Sequence, residues 1–194
     1  MIDIVRPDGD EKKFIKIAEK LELKGLVFLY DKPKDLKALR ATTKLKLYTA
    51  SAKGKCDIVV AEGKDTARHL LEKTGVDVVY GLERDDGRDH THYRYSGMNQ
   101  VLAKIAHDKD KIICFDIGKV ISSSGMKRSK VIGRMMQNIM LCRKYKVKTA
   151  VATFADSPYN MRDAGDIQAL LRVMGMESGD AKKALSTISN RLKG

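Results

Sequence analysis

The chain has 194 residues, of which 43% are apolar and 32% charged, and it carries a formal net charge of +13 at pH 7. That length can bury one substantial core and no Pro-, Gly- or Ser-rich linker divides it, so we predict a single domain over residues 1–194. The positive charge favours an acidic polymer as partner, and a solvated lysine-rich surface is the alternative.

The cysteines and the apolar segments argue against several protein classes. Cys56, Cys114 and Cys142 are odd in number and widely spaced, which is atypical of a disulfide framework or a zinc ribbon, and we expect them to be small buried residues. No apolar run reaches the roughly 18 residues of a membrane-spanning helix. The start of the chain lacks the pattern of a signal peptide. We therefore expect a cytoplasmic protein with no membrane partner.

The first half of the chain predicts strands that alternate with helices. Continuous or alternating apolar runs predict strands at residues 1–5, 25–30, 44–50, 57–61 and 76–80. Apolar side chains at helical spacing predict a helix after Asp10, a short helix opened by Pro33, and a helix that contains Leu70 and Leu71.

The second half of the chain contains the best-marked helix. Ser96 is predicted to cap it, and its core-facing stripe is predicted to be Met98, Val101, Leu102, Ile105 and Ala106. Strands are predicted at 111–117 and 149–154. A long helix is predicted at about 126–144, followed by helices at 163–174 and 179–192. The core face of the long helix is predicted to be Ile132, Met135, Met136, Ile139 and Met140.

Seven strands that alternate with helices are typical of a parallel sheet covered by helices. An open doubly wound sheet and a closed barrel both fit this pattern. A full barrel of eight strand–helix units usually needs more than 194 residues.

The segment Tyr93-Arg94-Tyr95-Ser96-Gly97-Met98-Asn99-Gln100-Val101-Leu102-Ala103-Lys104 resembles the hallmark segment of the ribonuclease P protein component 3 family of archaea. Weaker similarity extends over nearly the whole chain. The resemblance implies an α/β fold, namely a TIM-like (β/α) barrel that is reduced or distorted, with about seven parallel strands.

The resemblance also implies a function. Such a protein is a subunit of ribonuclease P, in which a catalytic RNA with bound Mg²⁺ removes the 5′ leader from precursor tRNA. It implies ribonuclease P RNA, precursor tRNA, an RRM-like protein subunit and other ribonuclease P proteins as partners. We expect no catalytic residue and no cofactor or metal bound by the protein itself.

Basic side chains form three clusters in which contacts to RNA phosphates are predicted. The first cluster is Lys44, Lys46, Lys53 and Lys55; the second is Arg84, Arg88 and Arg94; the third is Lys119, Lys127, Arg128, Lys130 and Arg134. Because loops that follow barrel strands meet at one rim, the second and third clusters are expected to share a surface. Aromatic residues are scarce and predict no stacking platform, so we expect recognition of backbone and shape rather than of bases.

Two alternatives remain open at this point. His90 and His92, together with the acidic residues Asp3, Glu62, Asp116 and Asp156 near strand ends, would allow a metal-dependent phosphoesterase, although the first strand lacks the histidine pair of the related barrel enzymes. A general RNA-binding module is the second alternative, because basic clusters alone do not define the RNA.

Overall fold

A computed structural model of the chain describes residues 1–32, 34–52, 55–63, 66–73, 75–83 and 87–193. Seven parallel strands lie in sequence order in one sheet. They are β1 (Ile2–Val5), β2 (Gly25–Leu29), β3 (Lys46–Ser51), β4 (Ile58–Glu62), β5 (Val78–Tyr80), β6 (Ile112–Asp116) and β7 (Lys148–Ala152). The seven strands predicted from the sequence are confirmed, each end within two residues.

The sheet curves until its first and last strands meet. Val5 of β1 forms a parallel bridge to Ala155, and the Arg6 amide donates to the Ala155 carbonyl at 2.8 Å. At the same seam, the buried Asp3 carboxylate accepts hydrogen bonds from the Thr153 amide and hydroxyl at 2.7 and 2.6 Å. The strands therefore form a nearly closed barrel, which confirms the predicted TIM-like architecture. The barrel departs from a regular one at the β7–β1 seam, where the described pairing is a single bridge.

Helices surround the barrel, and all of them except α5 lie where the sequence predicts a helix. They are α1 (Glu11–Lys20), α2 (Lys37–Arg40), α3 (Ala67–Glu72), α4 (Gln100–Asp108), α5 (Ile117–Ser122), α6 (Gly125–Lys144), α7 (Ala164–Val173) and α8 (Ser178–Arg191), with a 3-10 turn at Pro158–Asn160. The predicted helix opener Pro33 lies outside the described residues. None of the helices in the described part of the chain has the length and hydrophobicity needed to cross a bilayer.

The strands are apolar on both faces because the barrel buries both. Alternate residues fill the barrel interior, among them Ile4, Val60 and Cys114, while the intervening residues pack against the helices. Cys114 and Cys142 are buried as expected, whereas Cys56 is only partly buried, and all three thiols are free.

Helix α8 closes the N-terminal end of the barrel. Ile188 joins the interior apolar cluster, and the helix packs against β7 and β1. Its last residue, Arg191, donates to Asp77 at 2.6 Å and to Asp110 at 3.3 Å, and these two carboxylates lie just before β5 and β6. The C-terminal end of the barrel is thus left for the loops that follow the strands.

The predicted cap of the central helix is wrong. Helix α4 begins three residues later than Ser96 indicates, because the chain turns at Gly97 (φ +71°) and Asn99 supplies the cap. The Asn99 side-chain oxygen accepts from the Val101 and Leu102 amides, both at 3.0 Å. Val101, predicted to face the core, is half exposed.

The long helix predicted at about 126–144 is confirmed as α6, but the prediction missed the short helix before it. The short α5 precedes α6, because the Asp116 carboxylate accepts from the Lys119 amide at 3.0 Å and starts a helical turn directly after β6. The core face of α6 is also rotated from the prediction. Met136 and Met140 are exposed, while Arg134 and Asn138 are completely buried. Polar groups therefore occupy part of the face that α6 turns inward.

Candidate nucleic-acid interface

A long stretch of the chain carries positive charge only. Between Asp116 and Asp156 there is no Asp or Glu, and the stretch contains nine basic residues: Lys119, Lys127, Arg128, Lys130, Arg134, Arg143, Lys144, Lys146 and Lys148. Most of these side chains lie on α6, which at 20 residues is roughly 30 Å long. Acidic residues from outside the stretch pair with two of these side chains, because Arg143 contacts Glu177 and Lys148 contacts Asp110.

The second and third basic clusters meet on α6. The Arg94 amide donates to the Gln137 side-chain oxygen at 2.8 Å, and the Gln137 side-chain nitrogen donates to the Arg94 carbonyl at 3.0 Å and to the Ser96 hydroxyl at 2.7 Å. A methyl group at Gly133 would lie 2.6 Å from the Arg94 guanidinium carbon, so the glycine permits this close approach. The segment of residues 87–99, here called the aromatic loop, is thereby held on α6.

Arg134 of α6 anchors the first residues of the aromatic loop. Its side chain is fully buried, and its guanidinium donates to Asp89 at 2.9 Å and to the Gly87 carbonyl at 3.2 Å. Asp89 also accepts from the Tyr95 amide at 2.9 Å. Burial alone raises the pKa of Asp89, but the bonds from Tyr95 and Arg134 and the charges of Arg134 and Arg94 outweigh it and lower that pKa. Arg134 therefore orders the loop and presents no surface to a phosphate.

The other members of the third cluster stand at the start of α6 and on α5. Arg128 is exposed, and its guanidinium donates to the Ser123 carbonyl at 2.7 Å and to the Val120 carbonyl at 3.1 Å, which fixes its base against α5. Lys127 is exposed, and Lys119 and Lys130 are partly exposed. These four side chains lie on α5 and the first two turns of α6.

The first cluster is divided by the fold. Lys44 and Lys46 lie at the beginning of β3, and Lys55 lies beyond its end. A strand of six residues is about 20 Å long, so these lysines face opposite ends of the barrel. Lys53 of this cluster and Arg84 of the second lie outside the described residues, whereas Arg88 is exposed on the aromatic loop.

A basic residue occupies the C-terminal mouth of the barrel. The Arg6 guanidinium donates to the Tyr80 hydroxyl at 2.8 Å and lies 5.2 Å from the Tyr80 ring centre. It lies 5.6 Å from the ring centre of Phe154, which stacks on Tyr80 at 4.2 Å between centroids. Burial raises the pKa of nearby Asp116 to about 6, and the charge of Arg6 opposes that rise.

The acidic residues of the proposed metal centre serve separate local roles. Asp3 binds Thr153 at the seam, Asp116 caps α5, and Asp156 accepts from the Asn160 amide group at 3.1 Å. His90 stacks on Tyr93 in the aromatic loop. Among the residues that the structure describes, no three His, Cys, Asp or Glu side chains are placed to hold one metal ion.

Comparison with known proteins identifies the family of this chain. A family model described as RNase P subunit p30 matches residues 23–192. The chain belongs to the RNase P subunit p30 family. Similar members named ribonuclease P protein component 3 occur in Methanosarcina acetivorans, with 26% identity over 94% of this chain and 71% of that protein, and in Methanocaldococcus jannaschii, with 27% identity over 96% and 87%.

Not every relative has the same length. The component 3 protein of Methanococcoides burtonii is 32% identical over 69% of this chain, but the match covers 53% of that protein, so the chain spans about half the length of some curated relatives. A solved chain from an archaeal ribonuclease P with mature tRNA matches all of this chain and 90% of its own length, with a TM-score of 0.82 and 23% identity. The two proteins share the fold.

Sequence reasoning missed three features of this p30 family member. These are Arg6 at the barrel mouth, the Asp89–Arg134 pair under the aromatic loop, and the exposed rings of that loop. One signal was present in the sequence: polar Arg134 and Asn138 interrupt the apolar face of α6, and Gly133 lies beside them. Such residues inside an amphipathic helix indicate a polar segment packed on it.

Proposed function

We propose that this protein is a subunit of ribonuclease P and supports the catalytic RNA in removal of the 5′ leader from precursor tRNA. The family match over residues 23–192 supports this proposal, and so does the fold shared with a chain of an archaeal ribonuclease P bound to mature tRNA. In this proposal ribonuclease P RNA and precursor tRNA are its nucleic-acid partners, and an RRM-like subunit and other ribonuclease P proteins are its protein partners.

The acid-free basic stretch is the observation that carries the proposal. RNA folding brings phosphates together, and their repulsion falls when lysine and arginine side chains replace condensed cations. Lys119, Lys127, Arg128 and Lys130 lie on α5 and the first turns of α6. The aromatic loop rests further along α6, and its Arg88 and Arg94 add two more positive charges. Arg134 is left out of this proposed surface because it is buried.

In this proposal the RNA catalyses the cleavage reaction. In the proposal Mg²⁺ binds at the catalytic RNA, and the protein binds no metal or cofactor and acts by stabilising the active RNA fold. At the barrel mouth, where barrel enzymes place their catalytic groups, Arg6 lies against Tyr80 and Phe154. We also propose a cytoplasmic location, and the free thiols of the three cysteines are consistent with a reducing compartment.

The proposal is tested by 5′-leader cleavage of a precursor tRNA. Cleavage is measured with the cognate RNA and the RRM-like subunit at moderate Mg²⁺, with and without this protein, and also with this protein alone. Stimulation only in the mixture is expected. Cleavage by the protein alone would establish the phosphoesterase alternative and make His90 and His92 the first residues to change.

A matched pair of variants locates the effect. Replacing Lys127 and Lys130 by glutamine is expected to reduce the slope of log affinity against log salt by roughly 0.7 for each lost phosphate contact, and to lower the stimulation. Replacing the exposed Lys12 and Lys13 on α1 removes the same charge elsewhere and should leave both quantities near the wild type. Equal effects from the two pairs would favour a general RNA-binding module.

A further inference from the structure

Three rings are gathered on the aromatic loop, although the composition predicts no stacking platform. The His90 and Tyr93 rings stack with centroids 4.4 Å apart and planes 26° from parallel, and the Tyr95 ring lies 6.3 Å from His90. Tyr93 is 59% exposed and Tyr95 47% exposed, and His90 is also exposed. Exposed aromatic rings in contact with one another are costly to leave in water and are typical of binding surfaces.

The loop holds these rings in place before any partner binds. The His90 amide donates to the Tyr93 carbonyl at 2.9 Å and closes the turn between them. Asp89 and the buried Arg134 fix the base of the loop, and a methyl group at Gly87 would lie 3.0 Å from the Tyr95 ring. Tyr95 is therefore covered on one side by Gly87, whereas Tyr93 keeps most of its surface open.

Among the residues that the structure describes, basic side chains border the rings. Arg88 and Arg94 belong to the same loop and are exposed, and Lys130 precedes Gly133 by less than one turn of α6, where the Arg94 guanidinium rests. The one acidic residue of the loop, Asp89, is engaged by Arg134 and Arg94. An open aromatic face bordered by arginine is the combination by which proteins hold unpaired nucleotides, since the rings stack on bases while the cations neutralise phosphates.

We propose that the Tyr93–His90 pair stacks on an unpaired RNA base while Arg88 and Arg94 bind the phosphates that flank it. This inference rests on the proposed function, because it assumes that the basic surface faces RNA, and it adds that one contact is made to a base. A protein partner fits the site less well, because the surrounding groups are positive and an RNA strand supplies both the flat apolar surface and the negative charge.

Two oligonucleotides separate stacking from charge. The whole protein is titrated with a short single-stranded oligoribonucleotide and with an abasic oligomer of equal phosphate number. The wild type should prefer the first. Tyr93→Ala should weaken binding of the base-bearing strand roughly tenfold and leave the abasic strand unchanged, whereas Tyr93→Phe should retain the preference. Arg94→Gln should weaken binding of both strands.

Control measurements keep the test decisive. Tyr159→Ala removes an equally open tyrosine, 80% exposed on the 3-10 turn, and should leave the preference intact. Thermal unfolding shows whether Tyr93→Ala still folds. Equal binding of the two strands by the wild type, or an unchanged preference in Tyr93→Ala, overturns the stacking proposal.

Failure of stacking is distinguishable from failure of the proposed function. If the protein stimulates leader cleavage but shows no preference for bases, only the stacking proposal fails. Ultraviolet crosslinking of the reconstituted particle provides a second readout, and the crosslinked RNA is expected on the peptide that contains Tyr93. Protection of that peptide by a protein subunit instead of RNA would also overturn the proposal.

Discussion

The pKa values of acidic residues shift in opposite directions at the two ends of the barrel. At the N-terminal end, Asp110 lies between Lys148 and Arg191, and the hydrogen bond from Lys148 is the main reason that its pKa falls. At the C-terminal end, burial raises the pKa of Asp3 and of Asp116 to about 6 and that of Glu83 to about 7. Paired charges at one end stabilise the closed barrel. Buried carboxyl groups at the other reduce its stability at neutral pH.

This difference matches the roles that we assign to the two ends. Helix α8 closes the N-terminal end, whereas the C-terminal end carries Arg6, the aromatic loop and the start of α6. Barrel proteins place their functional groups on the loops that follow the strands. Three substitutions test whether the two ends of this protein divide in that way.

The largest loss of stability is expected from Arg134→Met. The change removes the guanidinium that bonds Asp89 and the Gly87 carbonyl and so frees the base of the aromatic loop. Because Asp89 is partly exposed and keeps Arg94 and the Tyr95 amide, we expect a loss of about 1.5–3 kcal/mol, the range for hydrogen bonds to charged groups. Urea unfolding would measure the loss. Arg134→Lys keeps the charge but not the two directed bonds, so its unfolding free energy should lie between those of Arg134→Met and the wild type. A loss below about 1 kcal/mol would contradict the role of Arg134 as the anchor of the loop.

Glu83→Gln is expected to stabilise the protein at neutral pH. Glu83 is buried, one of its oxygens accepts from Asn138 at 2.8 Å, and its other oxygen and the Asn138 carbonyl oxygen have no partner. Burial raises its pKa from 4.5 to about 7, so the folded protein binds more protons than the unfolded chain between those values. The stability that this proton binding contributes is fully present below pH 4.5 and is lost as the pH rises to about 7.

The size of that effect follows from the shift. The shift of the Glu83 pKa from 4.5 to about 7 corresponds to a loss of about 3 kcal/mol in the unfolding free energy of the wild type as the pH rises between those values. The glutamine variant should lack this loss. Unfolding free energies measured at several pH values would show it as a gap between variant and wild type that widens with pH. The control Glu72→Gln removes an exposed carboxylate. A gap that stays constant or narrows with pH would show that Glu83 is charged without penalty.

The smallest change is expected from Arg191→Gln at the N-terminal end. Its side chain is 38% exposed, and partly exposed ion pairs contribute about 1 kcal/mol or less, so the loss of its bonds to Asp77 and Asp110 should cost about that amount. Leader cleavage supported by the variant should stay at the wild-type level. A marked loss of cleavage with the fold intact would place functional surface at this end too, and so remove the contrast between the two ends.

The sequence predicted some features well because they depend on local patterns. Apolar runs located the seven strands, and periodicity located α1, α3, α7 and α8. The sequence failed on the cap of α4 and on the core face of α6, because the aromatic loop packs on Arg134, Gln137 and Asn138 and these contacts are not visible along the chain. Asn and Ser are both favourable N-cap residues, so the sequence does not distinguish Asn99 from Ser96. In the structure the chain turns at Gly97 and Asn99 is the cap.

The sequence by itself determined the charge, the alternation of strands and helices, and, through the segment from Tyr93 to Lys104, the family. Only the tertiary structure decided which basic residues share a surface. It placed Lys44 and Lys55 at opposite ends of β3, buried Arg134 under Asp89, and brought His90, Tyr93 and Tyr95 together. The reason is physical: secondary structure follows from neighbours along the chain, whereas an interface is made by side chains that only folding brings together.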